Sequence, residues 1–223
     1  MRTLILGVLF AAASVTADKH YSQALQLVAE ASQTVNAVRL VVLGWKIGDQ
    51  LEETVRLDPE HLAARMDLVR YYIVAPRLVG GGRGKAREQA IEIARRDASM
   101  GHFATGYIAY RGEKDYDRAR KELRLAVRTA KKASARTTAL MWLGWLSQET
   151  QHYDEAFASF EKILEIDATR LTASYEIGRT SFFCRCRIER GEEALLRYML
   201  AATPMGDMPT KDEAEKLLAK LRG

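Results

Sequence analysis

Cys184 and Cys186 stand one residue apart and are the only cysteines in the chain. Such a pair can close a small disulfide ring, stay reduced, bond to another chain or share a metal. In an oxidising compartment two thiols seldom stay free. No third ligand stands nearby, and a bond across one intervening residue is tight and readily reduced. The pair therefore reads as an incidental intramolecular bond, as free or alternately oxidised thiols, or as a redox or metal module. The run Gly80-Gly81-Gly82-Arg83-Gly84-Lys85 invites a phosphate-loop reading. That loop needs a glycine five positions before its Gly-Lys pair and a Ser or Thr after the lysine; Val79 and Ala86 occupy those places. The run is read as a turn. The four histidines, His20, His61, His102 and His152, lie in four separate segments, none paired at metal-ligand spacing on a helix. There is no Gly-x-Ser-x-Gly elbow, His-Glu-x-x-His helix or Gly-x-Gly-x-x-Gly turn after a strand. No catalytic, cofactor or metal residue is assigned, and the chain is read as non-enzymatic.

The elements around these residues repeat. Tyr116-Asp117-Arg118-Ala119 and Tyr153-Asp154-Glu155-Ala156 share the pattern Tyr-Asp-x-Ala, 37 residues apart, each opening an amphipathic helix. Ala86, Ala119, Ala156 and Ala194 continue the frame at intervals of 33, 37 and 38. Self-similarity at this period marks an array of helical hairpins. The clearest unit, residues 136–170, places Leu143-Gly144 in its first helix and Tyr153, Ala156, Phe160, Ile163 and Leu164 in its second. A glycine inside a helix costs about 1 kcal/mol relative to alanine. Gly144 is therefore expected to let the two helices approach, with Ala156 opposite. Asp58-Pro59 stops an earlier helix containing Leu51 and Val55. Its partner helix is expected within Asp18 to Leu43, where Tyr21, Leu25, Val28, Val35 and Val38 keep a helical period. Two insertions, Val74 to Gly84 and Cys184 to Arg187, are read as loops at one end of the helices.

Leu143, Gly144, Tyr153, Ala156 and Phe160 fall without a gap on the pattern of the tetratricopeptide repeat, which the chain resembles. The resemblance implies an all-α superhelix of antiparallel helix pairs, with four to five repeats over residues 18–207. Residues 208–223, containing the amphipathic run Lys211 to Leu221, are expected to form a C-terminal capping helix. The turn and Arg-Gly-Glu-Glu-Ala segments resemble exported bacterial members of that family. The family lines a concave groove with its first helices. Carried over, those positions are Met66, Asp67, Arg70, Ile108 and Arg111, then Met141, Trp142, Trp145, Tyr175, Arg179 and Phe182. Aromatic, Met and Arg side chains are what binding hot spots favour. The basic clamp with which some members hold a peptide carboxylate is absent, Met141 and Trp145 standing there instead. The implied partner is a protein or peptide with an apolar or amphipathic segment, held without a cofactor and without nucleic acid. Two alternatives stay open: a homo-oligomeric structural protein, and an envelope redox or metal module using Cys184 and Cys186.

The first residues give a compartment. Arg2 precedes an uncharged apolar run from Leu4 to Val15, and Val15-Thr16-Ala17 puts small residues at the positions a signal peptidase requires. The run is shorter than the roughly 20 residues of a membrane span. Residues 1–17 are read as a cleaved leader and the protein as periplasmic, with no stable span afterwards. Among 223 residues, 34 bases and 29 acids leave a net charge of +5, and with the signs interspersed this reads as a solvated surface rather than a site for an acidic partner or an anionic membrane.

Overall fold

Polar caps and a few helix breakers cut the chain into its elements. The computed structural model describes the backbone of residues 2–204, 206 and 208–223, and the side chains of 14–204, 206 and 208–223. Eleven α-helices and no strand occur among the described residues. They form two units, one ending at Lys114 and the other opening at Asp115.

The first unit holds α1 (Arg2–Gln33), α2 (Ala37–Leu57), α3 (Leu62–Val74), α4 (Arg83–Arg96) and α5 (Ala98–Tyr107), followed by a π-helical turn, Ile108–Glu113. The helix expected between Asp18 and Leu43 divides. The Asn36 side chain accepts from the Arg39 amide at 3.0 Å and starts α2, leaving Val35 fully exposed and Val38 76% exposed. An N-cap side chain satisfies an amide that the new helix would otherwise leave unpaired, so it can outweigh an apolar period. Asp58-Pro59 ends α2 as expected. Most side chains of the expected leader lie outside those described, and α1 runs through Ala17 without a break. Leu43, Leu51, Leu68, Val69, Ala86 and Ile93 form this unit's core, each at most 3% exposed. No helix of the described residues is long and apolar enough to cross a membrane.

The second unit holds α6 (Tyr116–Thr129), α7 (Ala133–Glu149), α8 (Tyr153–Ile166), α9 (Thr172–Cys184), α10 (Ile188–Ala201) and α11 (Lys211–Arg222), each packed on its neighbour. Tyr116 and Tyr153 are first residues of α6 and α8, and Ala119 and Ala156 are wholly buried one turn on. The group that Gly144 clears is Phe160 rather than Ala156: a Cβ at Gly144 would lie 2.4 Å from the Phe160 ring. Phe160 and Phe157, wholly buried, join Leu140 of α7 to Ala173 and Ile177 of α9. At the end, the Thr210 hydroxyl and the Glu213 carboxylate cap α11 reciprocally. Leu217, Leu218 and Leu221 then bury against Leu195, Tyr198 and Ala202, so α11 caps the second unit's last hairpin.

Candidate functional site

In the first unit, three helical stripes face a common space. Tyr21, Ala24, Leu25 and Val28 come from α1, Leu40, Val41, Gly44 and Ile47 from α2, and Asp67, Arg70, Tyr71 and Val74 from α3. Each stripe steps by three or four residues, the spacing of one helix face. Pro76 and Val79 of the insertion close one side. The insertion is tied down twice: the Trp45 indole donates to the Leu78 carbonyl at 3.0 Å, and the Tyr71 hydroxyl donates to the Val79 carbonyl. Gly48 makes room for this, because a Cβ there would sit 2.6 Å from the Tyr71 oxygen. The result is an open, almost wholly apolar groove of about 880 Å³.

Its polar groups gather at one corner. The Tyr21 hydroxyl donates to Asp67 at 2.8 Å, and the Arg70 guanidinium donates to the other Asp67 oxygen at 2.7 Å. Burial, then the bond to Asp67, push the Tyr21 hydroxyl up to about 12. The corner is thus internally satisfied and links α1 to α3.

The expected surface residues divide among several environments. Asp67 and Arg70 line the groove. Met66 and Ile108 are 3% and 2% exposed, so neither reaches a partner. Met66 sits between Arg65 and Leu68 on the buried side of α3. Ile108 begins the π turn, where counting by α-helical turns no longer tracks one face. Arg111, further along that turn, is exposed. In the second unit, Met141 and Trp145 pack on the Phe157–Phe160 cluster. Trp142 meets Trp145 edge-on, with centroids 5.7 Å apart. Tyr175 and Phe182 pack on the cluster that α11 completes. Arg179 pairs with Glu176 at 3.1 Å and lies over the Phe183 ring. Sequence reasoning missed the groove's α2 wall and the role of the insertion. The signal was the unbroken apolar run Leu40-Val41-Val42-Leu43, more than one helix face needs for its own hairpin.

Between α7 and α9 lies a buried polar knot. Gln148 donates to the Glu176 carbonyl at 3.1 Å and to the Thr180 hydroxyl at 2.8 Å. One oxygen of the Glu176 carboxylate and the Gln148 amide oxygen have no hydrogen-bond partner among the described residues. Burial raises the Glu176 carboxyl above the ordinary glutamate range, opposed by Arg179, Trp145 and Gln148. The folded protein therefore holds this proton at higher pH than the unfolded chain does. Stability from this group is greatest below the unfolded pKa and falls as pH rises through the raised native one. Glu176→Gln is expected to remove that decline and to be the more stable protein on the alkaline side. Urea midpoints of both proteins across pH check this; parallel curves would reject it.

Cys184 and Cys186 are joined by a disulfide, in the turn between α9 and α10. Next to it, Arg187 stacks on the Phe157 ring at 4.5 Å and pairs with Asp154 at 2.7 Å, which pins the turn to α8. No group of three or more His, Cys, Asp or Glu suited to a metal occurs among the described residues.

The pattern of the tetratricopeptide repeat matches residues 137–170, the segment in which α7 and α8 close over Gly144. The chain carries a tetratricopeptide repeat. No curated protein matches it by sequence. Among solved structures, PilF of Pseudomonas aeruginosa is similar, with a TM-score of 0.60 at 14% identity over 94% of this chain and 90% of that one. MamA is similar with a TM-score of 0.50 at 16% identity over 89% of this chain and all of that one. Both likenesses are of fold. The described helices pack as adjacent pairs.

Proposed function

We propose that the chain is a non-enzymatic scaffold or adaptor, exported to the periplasm, that holds a segment of another protein against its helix faces. The carrying observation is the groove of the first unit. Leu25, Val28, Leu40 and Val74 line it and are still 47%, 47%, 40% and 72% exposed. A contiguous exposed apolar patch marks an interaction surface, because leaving it in water promotes association. The repeat architecture supports the same reading, and the leader-like residues 1–17 support export.

A photoreactive residue placed in cells at Val74, and separately at Trp142, tests it, with the adducts read by mass spectrometry. The expected result is a discrete adduct with one other protein, on a chain whose mature N-terminus is Asp18. Adducts only between copies of this chain would replace the adaptor with a homo-oligomer. An uncut N-terminus on the recovered protein would reject export by a cleaved leader.

A further inference from the structure

The walls of the first unit's groove restrict what can fill it. Leu25, Val28, Leu40 and Val74 keep 40–72% of their surface in water. An occupant confined to the cavity, such as a single alkyl chain, would leave those outer surfaces wet. The occupant must therefore be broad enough to cover the rim as well as the floor. It must also arrive with its own hydrogen bonds complete. Among the described residues, the polar side chains of the lining are Tyr21, Asp67, Arg70 and Tyr71, and three of these bond one another at the corner. Tyr71 is held by Val79. An extended peptide laid here would bury unpaired N–H and C=O groups, which costs more than its side chains regain. An α-helix satisfies its own backbone and presents a stripe of side chains at the same three- and four-residue steps as the walls.

Charge narrows the choice further. Arg70 is 46% exposed and uses one bond, to Asp67. Arg77, beside the lining residue Pro76, is exposed and has no ion pair among the described residues. Arg70 is on α3, and Arg77 opens the short 3-10 turn that follows it.

We propose that the groove seats an amphipathic α-helix of a partner protein. Its apolar face runs for about two turns, the eight residues that each stripe spans, and acidic residues on one flank meet Arg70 and Arg77. The proposal rests on the scaffold reading and adds the conformation and charge of the segment held. The site lies in the cleft that the Val74–Gly84 insertion helps to wall.

The test uses the full mature chain and a synthetic, fluorescently labelled 16-residue peptide, with leucines at positions i, i+3, i+4 and i+7 and glutamates along one flank. Anisotropy reads binding and circular dichroism reads the peptide's helicity. The expected result is saturable binding with a gain in helicity. Val28→Glu and Val74→Glu, both at exposed positions that leave the fold intact, should weaken it about tenfold or more, since each buries a charge against the peptide's apolar face. Moving the peptide's glutamates to lysine should weaken binding to the unmodified chain and restore part of it to Arg77→Glu. Equal binding of a sequence-scrambled peptide, or no effect of either groove variant, would overturn the proposal. So would binding only to vesicles of zwitterionic phospholipid, or a stable dimer in sedimentation whose contact Val74→Glu breaks. If this test fails while the Trp142 crosslink still captures a partner, the scaffold reading stands and only the helix seat falls. If neither site captures one, both fall.

Discussion

Phe160→Ala is expected to lower stability by about 3–5 kcal/mol, the range for removing a buried aromatic ring. Phe160 is wholly buried and sits where three helices meet, beside Leu140 of α7 and Ile177 of α9. The surrounding side chains cannot collapse into the space, because Gly144 offers no side chain to fill it. The same geometry makes the reverse change costly. In Gly144→Ala the new methyl carbon lies 2.4–2.5 Å from two ring carbons, well inside van der Waals contact. A ring with no exposed edge cannot swing away, so α7 and α8 must separate, at a cost of about 1–3 kcal/mol. The two effects should not add. In Gly144→Ala/Phe160→Leu the methyl enters space that the smaller side chain vacates, and the double variant should be more stable than the sum of its singles predicts. Chemical denaturation of the four proteins measures the coupling. Strict additivity would mean that the glycine and the ring do not meet, and the reading of this repeat would fail with it.

That pair also shows what the sequence makes legible. Leu143-Gly144 followed by Tyr153, Ala156 and Phe160 states a close helix crossing, because the residue types permit little else, and α7 and α8 lie where the spacing puts them. The Asp58-Pro59 stop is legible for the same local reason. The candidate surface was legible only by helix, not by environment. Met66 and Tyr175 occupy the expected turns, yet one is buried in the core and the other packs on the cluster completed by α11. Exposure depends on what a distant segment does, and periodicity carries no record of it. The groove was hidden for a related reason. Its walls read as ordinary core-facing stripes, and only their common opening to solvent distinguishes them from core.

Leu218→Ala combined with Leu221→Ala is expected to release α11 from the second unit. The two side chains are 7% and 4% exposed and face Leu195 and Tyr198, both wholly buried. Each buried Leu→Ala change costs about 2–5 kcal/mol, but the pair cannot exceed the free energy that docks the helix. Beyond that limit α11 comes away and the rest of the unit keeps its fold. The double variant should therefore cost less than its singles sum to, unlike two substitutions in a core that unfolds as a whole. Ala214 and Leu217 stay in the cluster, and Arg185 and Tyr198 donate to the Lys220 and Pro209 carbonyls; the other contacts are weak. The Arg222–Glu192 pair at 3.2 Å is an exposed contact, worth about 0–1 kcal/mol, and the Thr210 cap contributes about 0.5–2 kcal/mol. Undocking would bare Leu195, Tyr198 and Ala202 together, a contiguous apolar face at the end of the hairpin stack. The variant should then be cut by protease between Ala202 and Thr210 and should associate with rising concentration, while α7 and α8 stay protected in hydrogen exchange. Uniform loss of protection across α6 to α11 would show instead that α11 folds as one cooperative body with the repeat it covers, and that its role is more than that of a cap.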